Sequence, residues 1–514
     1  KKSFMKNLKQ NFKQLTLLLA VGFTFFNCND KLEEIEGQVA TDDLDYTISS
    51  DMVLPLIGAY STTYTRGWED PLLVGVRGDD VNAGGLGDQP LFAETDLYNY
   101  DNGFWMYNQV WKNFYGDIVD VLNAGEIIQR YGEFATGSYV DLANQYVAET
   151  KVLSGFQHLQ MSRLWGNIYI IQNPADPQID IDNGIDSKME VMQYVSDLMD
   201  EAIPYLPDAR PNEREDVPGG VTKYTALAVK ALANLEMENY QGVADATEEI
   251  ISSDKFSLFP DFYELFKKPG KLCNENLFEL QFSDYNTDSG DVNNHLFAPF
   301  GPSNWTPVVE TASGGWGFYE PSLKFIKFML DRGDQTRLVT SVCFTPRGID
   351  EIMEDPAYAT LPNYISNTTP SGDIFNDYPR AMFASGKHYL PSTQLTPGRN
   401  SYGSSKNLIA IRYAEILLMY AEALTQGATG TVMTADEAVN EVRNRVGMTP
   451  LSGVTNDDVM DEKFAELAME WGVRYFDMIR LNRYDELSYE GRTFTAEDEY
   501  LPYPQAQVDL LPLE

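Results

Sequence analysis

Cysteine, histidine and basic residues are scarce in this chain of 514 residues. It has three cysteines and three histidines, and 38 Lys and Arg stand against 77 Asp and Glu, for a formal net charge of −39. His158, His295 and His388 are widely separated, which argues against a His-rich metal site and a His-based catalytic triad. The negative charge repels nucleic acids. We therefore predict no metal, no cofactor and no nucleic-acid partner.

The three cysteines have separate expected roles. Cys273 and Cys343 show no CxxC or metal-type spacing. A disulfide between them is conceivable, but two buried thiols are the favoured interpretation. Cys28 is different because it directly follows an apolar run near the N-terminus.

The first 27 residues are typical of a targeting segment. Residues 1–13 are basic, and the apolar run 15–26 that follows is too short to span a membrane comfortably. A cysteine directly after such a run predicts a lipoprotein signal, in which Cys28 is acylated and begins the mature chain. The alternative is an ordinary signal peptide with an incidental cysteine. We expect a signal peptide at 1–27, an acidic tether at 28–50 and the folded domain at 51–514.

Helical periodicity dominates the folded part of the chain, in residues 51–254 and 401–514. Residues 255–400 are instead rich in Gly, Pro, Asn, Ser and aromatics, so we predict loops and short strands there. The fold class is therefore mainly α, with TPR-like helical hairpins and an irregular loop-rich region. The predicted helical segments are 110–129, 139–164, 189–205, 222–237, 243–251, 408–424, 434–445 and 457–481. Thr434 and Glu437 form a capping box, and three prolines predict an extended C-terminus.

Several of these segments carry a family resemblance. IRYAEILLMYAEAL, AVNEVRNRVGM, DEKFAELAMEWGVRYFDMIRL and LPYPQAQVD occur in this order, at 411–424, 438–448, 461–481 and 501–509. They resemble the C-terminal signatures of the SusD/RagB family of starch-binding outer-membrane lipoproteins. Residues 111–125, 148–171 and 274–282 resemble earlier family segments, so the resemblance extends over essentially the whole chain. Trp471 and Asn167 depart from the family pattern.

The resemblance implies both a fold and a function. It implies a right-handed helical scaffold and a lipid-anchored protein on the outer-membrane surface, which captures oligosaccharide and delivers it to a SusC-like TonB-dependent transporter. It implies no enzyme activity. Two alternatives stay open: a lid subunit of a peptide importer and a glycoside hydrolase. The acidic composition favours a neutral glycan such as laminarin or another β-glucan.

Four tryptophans remain as possible sugar platforms after the helical ones are set aside. Sugar recognition needs flat aromatic faces together with side chains that hydrogen-bond hydroxyls. Trp111, Trp165 and Trp471 lie at core spacing within helical segments, so they are predicted to pack. Trp305 and Trp316, with Asn304, lie in the Gly- and Pro-rich segment 301–321 and are predicted ligand contacts. Loop anchoring is the alternative. Trp68 is a third candidate, and Trp105 is weaker because it borders a helix.

A second candidate segment is 66–90, since the resemblance places polar sugar contacts in this early loop. The predicted contacts are Trp68, Arg77, Asp79, Asp80, Asn82, Asp88 and Gln89. The alternative is a glycine-rich turn with capping carboxylates. Farther along, DIDNGID at 180–186 resembles a calcium loop. Its glycine is at the fifth position instead of the sixth and no Glu follows at the twelfth, so an acidic surface loop is favoured.

Overall fold

The structure is a computed structural model that describes residues 44–64, 69–85, 88–282, 297–312, 314–395 and 404–513. Ser49–Glu514 forms one compact unit, and of the first unit, Lys1–Ile48, only residues 44–48 are described. Cys28 and the predicted signal peptide therefore lie outside the described residues. Among the described helices, none combines the length and the apolarity that a membrane crossing requires.

The N-terminal half of the compact unit consists mainly of paired helices. Three residues separate α4 from α5, and such short connections make neighbouring helices antiparallel. The successive helices α4, α5, α7, α8 and α9 then pack side by side. The helices are α1 Val53–Tyr64, α2 Glu69–Gly75, α3 Pro90–Asp96, α4 Trp105–Phe134, α5 Ser138–Trp165, α6 Gln178–Asp182, α7 Lys188–Ala202, α8 Lys223–Glu236 and α9 Tyr240–Ser252.

Small residues set the close approach of these helices. A Cβ on Gly155 of α5 would lie 2.7 Å from Met199 Cε of α7, so only glycine fits at this contact without a shift. Ala226 and Ala233 of α8 are buried. The start of α7 is fixed by a capping box between Ser187 and Glu190. Local signals and packing therefore agree in this half of the fold.

In its described part, the middle of the chain adds short helices and, with strands from its flanks, four two-stranded antiparallel sheets. The pairs are β1–β4, β2–β8, β3–β6 and β5–β7. The helices are α10 Phe262–Leu265, α11 Phe297–Phe300, α12 Leu323–Arg332, α13 Gln335–Ser341 and α14 Pro346–Met353. The strands are β1 Val81–Gly84, β2 Asn276–Leu280, β3 Trp305–Thr306, β4 Phe318–Pro321, β5 Val342–Phe344, β6 Ile374–Phe375, β7 Phe383–Ser385 and β8 Leu408–Arg412. The predicted loop-rich region with short strands is confirmed.

The C-terminal helices complete the scaffold. Helix α15 packs against α9, α16 and α17. The predicted capping box of Thr434 and Glu437 starts α16. The helices are α15 Tyr413–Thr425, α16 Ala435–Arg445, α17 Asn456–Leu467, α18 Val473–Arg480, α19 Tyr484–Leu487 and α20 Gln505–Val508. The mainly α fold class is therefore confirmed.

Three predicted segments differ from the structure. The helix predicted over 408–424 is wrong for its first five residues, because Leu408–Arg412 is strand β8, paired with β2. The segment 457–481 is two helices, since Gly472 takes a left-handed φ of 73° between them. The C-terminus, predicted to be extended, contains the short helix α20.

Cys273 and Cys343 are both free thiols, and only Cys343 is fully buried.

Candidate functional site

Strand pairing brings the two predicted sugar-binding segments together. Gly84 of β1 lies opposite Phe318 of β4, and Gly85 N donates to Gly317 O at 3.0 Å. Gly84 has a left-handed φ of 64°, and a Cβ there would lie 2.7 Å from Gly317 O. Glycine is therefore required at this contact. The close contact between Gly84 and Gly317 places the neighbouring Trp316 beside the loop that follows β1.

A buried aromatic base supports Trp316, which is itself partly exposed. The rings of Trp316 and Phe318 meet edge to face, with centroids 6.4 Å apart. Phe318 meets Phe92 of α3 in the same way at 5.8 Å. Phe92 and Phe318 are buried. Their packing sets the position of Trp316 against α3.

Trp105 lies at the start of α4 and is 44% exposed. Its indole Nε1 donates to Gln89 Oε1 at 3.3 Å, and its ring meets Phe104 edge to face. Gln89 is the residue before α3 and has a left-handed φ of 49°. This hydrogen bond holds Gln89, a predicted ligand residue, beside Trp105, which was the weaker of the predicted sugar-platform candidates.

An ion pair connects this region to a segment that the sequence analysis missed. Asp88 Oδ2 lies 2.8 Å from Arg380 Nη1, and both side chains are partly exposed. Arg380 Nε donates to the hydroxyl of Tyr378 at 2.8 Å, and the guanidinium lies 5.3 Å from the Tyr378 ring centroid. Burial lowers the pKa of Arg380, but its hydrogen bonds to Asp88 and Tyr378 outweigh this and raise it. The arginine therefore keeps its charge.

Asn304 and Trp305 join the same segment through β3. Asn304 is exposed, and its Nδ2 donates to Asp377 O at 2.9 Å. Trp305 pairs with Phe375 of β6 and is only partly exposed. Its ring stands perpendicular to Tyr389 with centroids 6.2 Å apart, above a buried cluster of Cys343, Phe375, Ala384 and Tyr389. Trp305 thus anchors its loop and keeps only part of its ring at the surface.

We group the residues that these contacts connect under the name aromatic–polar surface. It combines partly exposed rings with a carboxylate, amides and a guanidinium. Such a mixture suits the two faces of a sugar, since rings pack on C–H groups and polar atoms bind hydroxyls. Its residues are Asp88, Gln89, Trp105, Asn304, Trp305, Trp316, Tyr378 and Arg380.

The structure corrects the prediction for Asp79 and Asp80. Both are buried, at 0% and 4% exposure. Asp79 Oδ1 accepts from Arg474 Nε at 2.6 Å, and its Oδ2 lies 2.7 Å from Lys324 Nζ. Asp80 Oδ2 accepts from the backbone N–H of Met469, and burial raises the pKa of Asp80 to about 6. These carboxylates hold the early loop to the C-terminal region instead of facing a ligand.

Arg77 and Asn82 also bind protein groups. Arg77 is fully buried, its Nη1 donates to Tyr475 OH at 3.1 Å, and its guanidinium lies over the Tyr475 ring. A sugar-binding role for Arg77 is therefore wrong. Asn82 is partly exposed, and its Oδ1 accepts from Arg492 Nη2 at 2.8 Å. Trp68 lies outside the described residues.

Two further predictions concern packing and metal binding. Trp111, Trp165 and Trp471 are at most 8% exposed, which confirms their packing role. In DIDNGID, Asp180 belongs to α6 and is buried, and its Oδ2 accepts from the backbone N–H groups of Gln172 and Asn173. The favoured surface loop is therefore wrong at Asp180. The described residues hold no group of three or more His, Cys, Asp or Glu suited to a metal ion.

Comparison with known proteins yields consistent matches over most of the chain. The model of the SusD family matches residues 274–512. SusD-like protein P2 of Formosa agariphila is 25% identical over 503 residues, which cover 94% of this chain and 92% of that protein.

Solved structures of similar fold also match most of the chain. Surface glycan-binding protein A of Bacteroides thetaiotaomicron, solved with laminarihexaose, has a TM-score of 0.72 at 22% identity and covers 90% of this chain and 98% of its own. A laminarin-binding SusD-like protein has a TM-score of 0.72 at 20% identity, covering 89% and 97%. These likenesses concern the fold.

Proposed function

The chain belongs to the SusD family, and from this premise we propose that it is a glycan-binding protein of the bacterial cell surface. The aromatic–polar surface is the observation that carries the proposal. It offers rings held at fixed positions by buried neighbours, so little side-chain freedom is lost when a ligand binds. Binding without turnover is proposed.

The ligand that we propose is a neutral oligosaccharide such as a laminarin fragment. Acidic residues outnumber basic ones 77 to 38, and this excess disfavours anionic polysaccharides. Within the surface, Arg380 is already paired with Asp88, so the local charge is balanced. The laminarin or laminarihexaose named for two solved structures of similar fold supports the same ligand class.

Delivery to a transporter and anchoring in the outer membrane belong to the same proposal. We propose that a SusC-like TonB-dependent transporter receives the oligosaccharide and that acylated Cys28 holds the protein at the surface. A diacyl anchor binds membranes far more strongly than a single chain, at about 0.8 kcal/mol per buried CH₂. Labelled palmitate should enter the wild-type protein in cells and should be absent from Cys28→Ala. Retained label would place the anchor elsewhere.

Isothermal titration with neutral and anionic oligosaccharides tests the binding proposal. Trp105→Ala and Trp316→Ala should each weaken laminarihexaose binding by about tenfold, or about 1.4 kcal/mol, since each removes a stacking face. Phe134→Ala is the matched control. Phe134 is 54% exposed and ends the same 30-residue helix that Trp105 begins, about 44 Å away at the helical rise. Its loss should leave binding unchanged.

Two results would count against the proposal. If Trp105→Ala and Trp316→Ala both bind as the wild type does, the aromatic–polar surface is not the binding site. If the protein degrades the bound oligosaccharide, chromatography of the incubated sugar would reveal shorter products, and the chain would be a glycoside hydrolase.

A further inference from the structure

A cavity of about 240 Å³ lies in the loop-rich region. Strand β5 and helix α13 form part of its wall, and Tyr263 of α10 and residues of the run 364–370 form the rest. Among the described residues that line it, none belongs to the aromatic–polar surface. The cavity is therefore a separate place at which a small molecule has room.

Two tyrosines, Tyr263 and Tyr364, line the cavity, and both are partly exposed. The Tyr263 hydroxyl forms a hydrogen bond of 2.8 Å with Ser371 Oγ. Burial raises the pKa values of both phenols, so each hydroxyl keeps its proton at neutral pH. Each tyrosine thus supplies the cavity wall with an aromatic ring and a polar atom on the same side chain.

Neutral hydrogen-bonding side chains complete the wall. Gln335, Ser366 and Thr368 line the cavity and are exposed, so their polar atoms are open to solvent or to a ligand. Burial raises the pKa of Cys343, another wall residue, to about 12, so its thiol is neutral. The described lining contains no Asp, Glu, Lys or Arg. Its wall therefore combines aromatic rings, an amide and hydroxyls without a charged side chain.

Hydrogen bonds hold the run 364–370 in place. Asn367 Nδ2 donates to Phe375 O at 3.0 Å, and Phe375 N donates to Asn367 O at 2.8 Å. Thr369 N donates to Asp373 O at 2.8 Å. These bonds form without a ligand, so the wall would lose little conformational freedom when a ligand binds.

We propose that this cavity is a second carbohydrate site, which binds one neutral sugar ring. Aromatic rings pack against the C–H groups of a sugar, and the amide and hydroxyls bind its hydroxyl groups. Pockets for drug-sized ligands have volumes of about 300–1,000 Å³, so this smaller cavity suits a single ring. A charged sugar would find no counterion in the described wall, and burying an unpaired charge is costly. The ligand class is that of the proposed function, whereas the site is separate.

The cavity and the aromatic–polar surface share a buried core. Cys343 lines the cavity and also belongs to the cluster against which Trp305 packs. The Thr369 hydroxyl lies 3.3 Å from the Tyr389 hydroxyl, and the Tyr389 ring stands perpendicular to Trp305. A sugar in the cavity would therefore contact the same core that supports one tryptophan of the aromatic–polar surface.

Saturation-transfer difference NMR with D-glucose, D-galactose and D-mannose tests the proposal. The measurement uses a background variant that combines Trp105→Ala with Trp316→Ala. Its hexose signal should persist, because neither tryptophan lines the cavity. Adding Ser366→Trp, which fills the cavity from an exposed position, should remove the signal while circular dichroism stays unchanged. Adding Tyr364→Ala should weaken binding by about twofold to tenfold, since it removes one ring.

Tyr358→Ala in the same background is the matched control. Tyr358 is a partly exposed tyrosine of the same region, its hydroxyl donates to Asp331 Oδ1 at 2.9 Å, and it does not line the cavity. Its loss should leave the hexose signal unchanged. D-glucuronate should give a weaker signal than the hexoses because it is charged. Laminarihexaose should give the same pattern as the hexoses if the bound ring is a chain end, whereas a signal from hexoses alone supports a free monosaccharide.

Three results would overturn the proposal. The background variant gives no hexose signal, Ser366→Trp leaves the signal intact, or D-glucuronate binds as strongly as the hexoses. A hexose signal that is present in wild-type protein and absent from the background variant would assign hexose binding to the aromatic–polar surface alone. That result overturns the second site but supports the proposed function, so the two failures are distinguishable.

Discussion

Replacing Glu466 by glutamine removes one negative charge from the centre of a buried ion network. Glu466 lies in α17 and is fully buried. Its carboxylate lies 2.6 Å from Arg412 Nη1 and 3.0 Å from Arg337 Nη1, and it also pairs with Arg445. These arginines come from β8, α13 and α16. The single carboxylate therefore joins four elements of the scaffold.

The expected cost follows from burial and charge. Removing one partner of a buried ion pair costs about 3–5 kcal/mol, because the remaining charge stays uncompensated in a poorly solvated place. Glutamine keeps the shape of the side chain and one acceptor, so the loss reports mainly on charge. Burial would raise the pKa of Glu466, but Arg445, Arg412 and Arg337 outweigh it and hold the pKa well below its usual 4.5.

The sign of the pH dependence follows from that lowered pKa. In the unfolded chain, the carboxyl group of Glu466 has its ordinary pKa of about 4.5. Its contribution to stability is therefore complete above about pH 4.5 and declines as the pH falls below that value. The stability difference between wild-type protein and Glu466→Gln should therefore be constant near neutral pH and should shrink in acid.

Denaturation with urea at neutral pH measures the difference. Glu201→Gln is the control because its ion pair with Lys151, at 2.6 Å, is partly exposed, with Glu201 63% exposed. Exposed pairs contribute about 0–1 kcal/mol. The reasoning would be refuted if Glu466→Gln lost less than about 1 kcal/mol, or no more than Glu201→Gln does.

Three further changes test other parts of the molecule. Burial raises the pKa of Glu320 to about 7, so its ionisation opposes folding as the pH rises from about 4.5 to 7. In urea denaturation, the stability of Glu320→Gln relative to wild-type protein should therefore rise by up to about 3 kcal/mol over that pH range. Glu354→Gln, a substitution of an exposed residue, should show no such rise. Gly472→Ala should lose at least about 1–2 kcal/mol because its φ is 73° and a Cβ would lie 2.5 Å from Val74 O. Gly453→Ala, with a positive φ but open space, should lose less in the same assay. Asp88→Asn should change stability by less than about 1 kcal/mol, since its pair with Arg380 is exposed, but should weaken laminarihexaose binding in titration calorimetry.

Helices with a strong apolar period could be predicted from the sequence, whereas a strand fused to a helix could not. Residues 139–164 and Ser138–Trp165 agree to one residue at each end. In contrast, residues 408–412 are mostly apolar, so they extend the helical periodicity of α15 toward the N-terminus. It becomes a strand because β2, more than a hundred residues earlier, offers a pairing edge. Local periodicity contains no information about such a partner.

The site shows the same division between local and distant causes. Setting aside the helical tryptophans singled out Trp305 and Trp316, both of which are partly exposed, although Trp305 lies in strand β3 and not in a loop. Tyr378 and Arg380 were missed because Asp88, the partner of Arg380, lies 292 positions away. A short NDYPR run between apolar residues was the available signal, since it concentrates polar groups and an aromatic ring.

The acidic pair at 79–80 illustrates how composition misleads. Asp79 and Asp80 follow a glycine, and in isolation they look like solvent-facing loop carboxylates. They are buried because Arg474 and the backbone of Met469 supply donors. Burying a charged carboxylate costs free energy unless such donors are present, and their presence is a property of the tertiary fold.

The pairing of Asp79 with Arg474 joins positions 395 residues apart, and this distance has a consequence for how the protein matures. Contacts of such sequence separation form late, since closing a long loop costs entropy before any interaction rewards it. The early loop cannot reach its final state until nearly the whole chain has been synthesised. A chain truncated before α18 would leave the carboxylates of Asp79 and Asp80 without these donors. Molecules that lack the C-terminal helices therefore cannot fix the early loop in place. We expect that loop to be more susceptible to proteolysis in such molecules than in the full chain.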